Sequence, residues 1–376
     1  MKKTFLSTIP AAFKAPINIF LLAVPVAVLA YYFHWGELLV FIFSALAVIP
    51  LAGYIGESTE VLAHHTGPKL GGLLNATLGN AAELIITIVA IREGLLELVK
   101  ASITGSILGN VLLVLGMAML LGGLKNKVQY FDRRQAGNNA ILLVLAVVAL
   151  VIPSLFSGFI GAQGSIRVET LSLGVAATMI VLYALGLLYS YKAKDGPLSA
   201  LPDEQEADAR RKVKKEVHTA PPAWSLRTAL IVLAISTVGV AYLSELLVSA
   251  VEPVVAKLGV SEFFLGIVLI PIVGNVAEHL VAVRVALRNQ MDLSVEIAIA
   301  SSLQIALFVA PILVFVSLVL GNPLQLIFNE FELLALIAGV LITALVSSDG
   351  ESNWLEGAEL LAVYVILVLA FFLLPV

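Results

Sequence analysis

Long apolar runs follow one another along most of the chain, separated by short polar or charged stretches. A helix that crosses a membrane needs roughly 20 apolar residues. The runs predict eleven membrane helices, at residues 17–33, 37–63, 69–91, 98–122, 137–154, 168–190, 226–250, 259–284, 293–320, 331–347 and 353–374. The predicted fold class is therefore an all-α polytopic membrane protein.

The composition supports a membrane location and limits the chemistry of any site. Hydrophobic residues make up 60% of the 376 residues and charged residues only 13%, whereas a soluble domain carries about 25% charged residues. The chain has no cysteine, which excludes disulfides and thiolate metal sites. The first apolar run follows no small-residue cleavage signal, so we expect a retained helix rather than a signal peptide.

Lysine and arginine residues are distributed unevenly between the two sides of the predicted arrangement. Such residues are retained on the cytoplasmic side of membrane proteins. If the N-terminus is cytoplasmic, 18 of the 22 basic residues fall on that side, and four fall on the other: Arg92, Lys100, Arg167 and Lys257. We therefore expect an integral protein of the cell or inner membrane, with its N-terminus in the cytoplasm and its C-terminus on the opposite side.

A charged segment divides the chain into two parts. Residues 192–225 contain an acidic stretch, a basic stretch and then two prolines, and we expect this linker to be cytoplasmic. It is either a solvated tether or a regulatory segment that senses cations or contacts lipid. The predicted division is an N-terminal tail and first helix at 1–36, a five-helix repeat at 37–191, the linker, and a second five-helix repeat at 226–376.

A short motif occurs twice, once in each part. Residues 79–83 read GNAAE, and residues 274–278 read GNVAE, 195 positions later; at the same offset Ser106 corresponds to Ser301. Because five predicted spans separate the copies, an odd number, the second copy runs in the opposite direction through the membrane. Inverted repeats are typical of transporters, whose substrate site lies near the bilayer midplane on interrupted helices. Pro271, just before the second motif, predicts such an interruption.

Each motif places one glutamate, Glu83 or Glu278, inside a predicted membrane helix. A charged residue at that depth costs roughly 2.5–3.5 kcal/mol and usually marks a functional site. Two carboxylates neutralise Ca²⁺, which takes about 6–8 oxygen ligands, including carboxylates and carbonyls. The candidate metal ligands are therefore Glu83, Glu278, Asn80, Asn275, Ser106, Ser301, Ser302 and Gln304.

The same two glutamates predict coupling to protons. Burial disfavours the charged form of a carboxyl group, and a neighbouring carboxylate disfavours it further. A pair without a cation should therefore bind protons, and competition between Ca²⁺ and protons for one site is sufficient for exchange. We expect each glutamate to carry one proton on the return step.

Further polar residues lie where ions could enter or leave. Glu57 and Glu60 fall near one end of the second predicted span, and Glu245 and Glu252 near the end of the seventh. They are either charges at the membrane surface or parts of a cation or proton path. His279 follows the second motif but points about 100° away from its glutamate on a helix. It is either a proton-path residue or a packed polar residue.

The motifs also resemble those of a known family. Residues 67–84 read GPKLGGLLNATLGNAAEL, residues 271–279 read PIVGNVAEH, and residues 301–306 read SSLQIA. These stretches resemble the two repeat motifs of the cation/proton exchangers, which belong to the calcium/cation antiporter superfamily. The resemblance covers nearly all of the chain, from Glu37 to the C-terminus.

The resemblance implies Ca²⁺/H⁺ antiport, with one extra helix before two inverted five-helix repeats. It implies that Glu83 and Glu278 bind the cation, and it matches Glu60 and Glu245 to the family's glutamates in the second and seventh spans. Family members with a strongly acidic linker helix are known, and the mixed charges of the linker here depart from that pattern.

Several alternatives remain open at this point. The chain could exchange Na⁺ or K⁺ for protons, because the same oxygens suit a monovalent ion. Na⁺/Ca²⁺ exchange would need further Na⁺ sites, and the fourth and ninth predicted spans have no mid-span carboxylate. A cation channel belongs to a different class, and inverted repeats around one midplane site argue against it. We predict no enzyme activity, cofactor or nucleic-acid partner; the partners are transported Ca²⁺, H⁺ and the bilayer, and the oligomeric state stays open.

Overall fold

The computed structural model of the chain describes residues 16–193 and 224–374, and these residues fold almost entirely as helices. The predicted tail before Pro16 and most of the predicted linker lie outside the described residues. A 3₁₀ segment at Pro16–Leu22 comes first. The first part then has α1 (Ala23–Tyr32), α2 (Glu37–Leu78), α3 (Ala81–Arg92), α4 (Leu96–Leu108), α5 (Leu115–Asn126), α6 (Arg133–Ile160) and α7 (Ile166–Ala193).

The second part repeats this helical character. It has α8 (Leu226–Ser249), α9 (Val251–Leu258), α10 (Glu262–Phe264), α11 (Ile270–Leu287), α12 (Met291–Gln304), α13 (Ala310–Leu320), α14 (Glu330–Val346) and α15 (Trp354–Phe372). Two strands of two residues each, β1 (Gln129–Tyr130) and β2 (Glu351–Ser352), pair antiparallel across the two parts.

Among the described residues, eight helical stretches are long and apolar enough to cross a membrane. They are Glu37–Thr66, Leu96–Asn126, Arg133–Ile160, Ile166–Tyr189, Leu226–Leu258, Glu262–Leu287, Met291–Leu320 and Trp354–Phe372. The prediction of a helical membrane protein is therefore confirmed. The predicted spans 17–33 and 331–347 correspond to shorter helices, the span 69–91 is divided between the end of α2 and α3, and the count of eleven stays a prediction.

Helix α2 differs from the two separate spans that the sequence predicts, because its helical backbone continues through residues 64–68. It does not run straight. A Cβ atom built on Gly71 would lie 2.7 Å from the carbonyl oxygen of Ala63, whereas residues eight positions apart on a straight helix are about 12 Å apart. The helix therefore bends sharply in the stretch where the sequence predicts a loop.

Three π-helical segments interrupt the long spans, at Gly109–Val114, Leu265–Leu269 and Ile305–Val309. The first and third follow α4 and α12; at the 195-residue offset of the motifs their ends coincide and their starts differ by one residue. The second lies immediately before α11, whose first turn contains Pro271. The helical backbone continues from this segment into α11, so the stretch where the sequence predicts an interruption has a changed hydrogen-bonding pattern and no break. Such segments occur frequently at functional sites.

One group of loop contacts defines an end of the molecule that we call the Leu287 end. The side-chain amide of Asn126 donates to the carbonyl oxygen of Ala286 at 3.1 Å. The backbone amide of Asp132 donates to the side chain of Asp292, and β1 pairs with β2. The segments that follow α5, α11 and α14 therefore meet at this end.

A second group of contacts defines the Arg92 end. The side-chain amide of Asn322 donates to the carbonyl oxygen of Ile91 at 2.9 Å, and the backbone amide of Gly164 donates to Oε1 of Gln325 at 2.9 Å. The segments that follow α3, α6 and α13 therefore meet here. The helical stretch Leu96–Asn126 connects the two ends, and at 1.5 Å per residue it is about 46 Å long.

Close backbone packing brings the two parts together near the start of α4, toward the Arg92 end. A Cβ atom built on Gly266 would lie 2.7 Å from the Cβ of Ala101 and 2.8 Å from the carbonyl oxygen of Leu98. Only glycine allows helices to approach so closely. As a result α4, which carries Ser106, lies directly against the π segment that leads into α11.

Candidate cation site between the two repeats

The first motif lies at a break between two helices. Helix α2 ends at Leu78, Gly79 and Asn80 form a turn, and α3 begins at Ala81. The last carbonyl groups of α2 have no partner within the helix and point toward this break. Glu83 lies in the first turn of α3, where the positive end of the helix dipole stabilises a carboxylate.

Glu83 is buried, with 4% of its surface exposed, between the two parts of the chain. Its Oε1 accepts hydrogen bonds from the hydroxyl of Ser106 and from Nδ2 of Asn275, the latter at 2.6 Å. A Cβ atom built on Gly274 would lie 2.7 Å from Cγ of Glu83. Glycine at that position therefore lets the acid of the first motif contact the backbone of the second.

Glu278 repeats one of these contacts in the second part. Its Oε2 accepts a hydrogen bond from the hydroxyl of Ser301 at 2.9 Å, as Glu83 does from Ser106. In both pairs the serine follows the glutamate by 23 positions. Glu278 is half-buried, and its charge lies within electrostatic range of Glu83.

The two asparagines of the motifs make different contacts, unlike the matched serine–glutamate pairs. Asn275 donates to Glu83 across the repeats, whereas Nδ2 of Asn80 donates to Oε1 of Gln304 at 2.7 Å. Asn80 and Asn275 are both buried, and Gln304 is half-buried. The site is thus asymmetric, with Glu83 held by two donors and Glu278 by one among the hydrogen bonds of the described residues.

Two oxygen atoms at the site are buried and accept no hydrogen bond from the residues that the structure describes: Oε2 of Glu83 and Oδ1 of Asn80. A buried acceptor without a partner is costly and calls for a ligand or a proton. Among the described residues, no group of three or more histidine, aspartate or glutamate side chains could hold a metal ion. A cation here would therefore depend on two carboxylates supplemented by amide, hydroxyl and backbone oxygens.

The hydroxyl of Ser302 is directed away from the acids. It donates to the carbonyl oxygen of Ala298 at 3.0 Å and to that of Ile107 at 3.5 Å. The reason is that Ser302 lies next to Ser301 on a helix, so the two side chains point about 100° apart. Ser302 thus connects α12 to α4 instead of contacting either carboxylate.

The other predicted residues are dispersed around the site. Glu57 is half-buried, whereas Glu60, Glu245 and Glu252 are exposed. His279 is 5% exposed, and its Nε2 lacks a hydrogen-bond partner. The structure brings none of these five residues into hydrogen-bond contact with Glu83 or Glu278 among the described bonds.

Sequence reasoning missed a second buried acid, Glu332. It is fully buried at the start of α14, where its Oε2 accepts from the backbone amide of Asn329 at 2.8 Å and its Oε1 accepts from Thr104 at 3.3 Å. The side chain of Asn329 in turn accepts from the backbone amide of Glu332, which completes a capping box. The spacing of asparagine and glutamate, three positions apart before an apolar run, is the sequence signal of that motif.

Similar proteins agree with this architecture. Relatives named as Ca²⁺/H⁺ antiporters include one from Aphanothece halophytica, 46% identical over 95% of this chain and 96% of that protein. Another, ChaA from Bacillus subtilis, is 44% identical over 93% of this chain and 97% of that protein. The vacuolar calcium ion transporter of Schizosaccharomyces pombe is 38% identical over 95% of this chain and 85% of that protein.

Solved structures give the same result for the fold. The structure of native YfkE superposes with a TM-score of 0.81 at 40% identity, covering 95% of this chain and all of that one. An H⁺/Ca²⁺ exchanger, CAX, shares the fold with a TM-score of 0.71 at 16% identity, over 96% of this chain and 92% of that one. The profile of the family described as sodium/calcium exchanger protein matches residues 36–192 and 228–373. The chain therefore belongs to the sodium/calcium exchanger protein family.

Proposed function

We propose that the protein exchanges Ca²⁺ for protons across a membrane, using Glu83 and Glu278 as the shared binding groups. One observation carries the proposal. Glu83 is held at Oε1 by residues of both repeats, while its Oε2 is buried without a partner, within electrostatic range of Glu278. Such an oxygen is stabilised either by a cation or by a proton.

The oxygen donors support a hard divalent cation. The proposed ligands are the carboxylates of Glu83 and Glu278, with oxygens from Asn80, Asn275, Ser106, Ser301 and Gln304 and from the end of α2. Ca²⁺ prefers such mixed oxygen shells and tolerates irregular geometry. The orphan Oδ1 of Asn80 suits this role, because the Nδ2 atom on the same side chain is already engaged by Gln304.

Proton coupling follows from the burial of the same oxygens. With Ca²⁺ present, both carboxylates are neutralised by the cation. Without it, two negative charges would remain in a region that water reaches poorly, and protonation removes that cost. Ca²⁺ and protons therefore exclude each other, and the protein changes its open side only when the acids are neutralised by one or the other.

The relatives support Ca²⁺ and H⁺ as the transported ions. The proteins that are 46% and 44% identical over most of this chain are named as Ca²⁺/H⁺ antiporters. No carboxylate lies in the middle of the described spans Leu96–Asn126 or Met291–Leu320, which argues against the extra sites that Na⁺-driven exchange requires. Exchange of Na⁺ or K⁺ for protons is the runner-up, and gradients of Na⁺ and of K⁺ imposed on the vesicles distinguish it from Ca²⁺/H⁺ exchange.

We further propose the membrane arrangement predicted above: a first helix, two inverted five-helix repeats and a cytoplasmic linker. The loop contacts support it. The segments that meet at the Leu287 end lie on the cytoplasmic side of that arrangement, and the segments that meet at the Arg92 end lie on the other. The matched serine–glutamate pairs and the corresponding π segments support the repeat.

The test is Ca²⁺ uptake into vesicles that contain the purified protein, driven by an imposed pH gradient. We expect uptake by the wild type and none by Glu83→Gln or Glu278→Gln. Glu359→Gln is the matched control, because it removes an exposed carboxylate from α15 and should leave uptake intact. Gradients of Na⁺ and of K⁺ in parallel vesicles test the runner-up. Uptake that persists in either site variant, or that follows only a Na⁺ gradient, would refute the proposal.

A further inference from the structure

The side chain of Arg92 joins the two repeats at the Arg92 end. Its Nη1 lies 3.1 Å from Oε1 of Glu245, and its Nη2 lies 3.0 Å from Oε1 of Glu93. Arg92 is the last residue of α3, the helix that begins beside the site and carries Glu83. Glu245 lies on α8 in the second part of the chain. One guanidinium group therefore holds α3 against a helix of the other repeat.

The opposite end of the molecule has no such ion pair among the described residues. There, the neutral side chains of Asn126 and Gln129 both donate to the carbonyl oxygen of Ala286. Ala286 corresponds to Ile91 at the repeat offset, and Leu287 corresponds to Arg92. The two ends are thus built alike from asparagine caps, and a charged contact was added at one of them.

All three charged groups are partly exposed on the surface of the protein. The side chains of Arg92, Glu93 and Glu245 are about half exposed, at 50%, 48% and 49%. Exposed ion pairs contribute little stability, and salt screens them. This ion pair is therefore expected to contribute little to the stability of the fold. A weak contact between α3, which carries Glu83, and a helix of the other repeat is suited to opening and closing.

We propose that Arg92 is a tethered cation that holds α3 and α8 together at the Arg92 end until an arriving Ca²⁺ displaces it from Glu245 and Glu93. This inference rests on the proposed function. A divalent cation attracts two carboxylates more strongly than a guanidinium group does, and α3 leads from this end to Glu83. The opposite end lacks this competition, so the two faces of the transporter should differ in their apparent affinity for Ca²⁺.

The first test is the effect of Arg92→Gln on the KM for Ca²⁺, measured separately for Ca²⁺ presented to each face. Removal of the competitor should lower the KM at the Arg92 face by about two- to fivefold, the equivalent of one exposed ion pair, and leave the other face unchanged. Arg167→Gln is the matched control, since Arg167 is an exposed arginine at the start of α7 on the same end. An equal change at both faces, or a fall in kcat alone, would show a structural role and overturn the proposal.

The second test uses the absence of cysteine from the chain. Arg92→Cys combined with Glu245→Cys is cross-linked by a short bifunctional thiol reagent, and exchange is compared before and after cleavage of the link. We expect the link to block exchange and its cleavage to restore it. Full exchange by the linked protein, or failure of the two cysteines to link, would overturn the proposal that Arg92 holds α3 and α8 together. The unsubstituted protein in the same assay measures Ca²⁺/H⁺ exchange itself. Failure of the proposed function is therefore distinguishable from failure of the proposal for Arg92.

Discussion

Asn275 of the second repeat donates its side-chain amide to Glu83 of the first repeat at 2.6 Å. The bond crosses the interface between the two motifs and fixes one carboxylate oxygen, leaving the other free. A hydrogen bond to a charged group is stronger than one between neutral groups. The acid proposed to bind the transported ion is therefore oriented by a donor of the opposite repeat together with Ser106 of its own.

Asn275→Ala should weaken Ca²⁺ binding and leave the fold intact. Loss of a hydrogen bond to a charged group costs about 1.5–3 kcal/mol, which corresponds to roughly a 10- to 150-fold rise in the dissociation constant. Equilibrium binding of ⁴⁵Ca²⁺ in detergent measures it. Asn138→Ala, at an exposed position on α6, is the control and should bind as the wild type does. Unchanged binding by the Asn275 variant would remove Asn275 from the site.

Acidification should weaken Ca²⁺ binding, because protons occupy the same two carboxylates. If both Glu83 and Glu278 release a proton when Ca²⁺ binds, the logarithm of the dissociation constant should rise by about two for each unit that pH falls in the acidic range. The measurement is Ca²⁺ binding across a series of pH values. A slope near zero would mean that Ca²⁺ and protons do not share these groups.

Gly274→Ala should abolish exchange without unfolding the protein. The new Cβ would lie 2.7 Å from Cγ of Glu83, and overpacking of that kind costs about 1–3 kcal/mol and displaces the side chain. Gly174→Ala is the matched control, because a Cβ there meets no atom within 4 Å. Size-exclusion profiles of both variants should match the wild type, whereas Ca²⁺ uptake should fail only in the first. Normal uptake by Gly274→Ala would show that the close approach is dispensable.

Glu332→Leu should lower thermal stability, whereas Glu332→Gln should have a smaller effect. Leucine leaves the backbone amide of Asn329 and the hydroxyl of Thr104 without their acceptor and removes the capping box, at a cost of about 1–3 kcal/mol. Glutamine retains an acceptor oxygen at the same position. Unfolding temperatures in detergent compare the two variants, and the reverse ranking would contradict the assigned role.

The sequence predicted which residues of the two repeats correspond. The offset of 195 positions matched Glu83 with Glu278 and Ser106 with Ser301, and the structure shows that each serine donates to the glutamate of its own repeat. Contacts between repeats were not predictable, because the pairing of Asn80 with Gln304 breaks the symmetry that the motifs suggest. A repeat in sequence shows which residues correspond and does not show which of them meet across an interface.

The positions of the helix breaks were also not predictable from the sequence alone. Apolar length located the spans, but helix α2 continues through the predicted loop at 64–68, and the break in the third span falls at Gly79 and Asn80. Glycine and proline mark positions where a helix can be interrupted, and packing decides which of them is used. Glu332 was missed because an acid at the start of a helix is usually exposed. Its burial depends on neighbouring helices whose positions the sequence does not give.

The caps donated by Asn126 and Asn322 have a mechanical consequence. Each hydrogen bond connects the C-terminal end of a helix that carries one of the acids, α11 or α3, to a segment of the other repeat. During transport we therefore expect α3 to move together with the loop that follows α13, and α11 to move together with the end of α5. Movement of the first and second stretches of the chain past each other as whole blocks would break both hydrogen bonds.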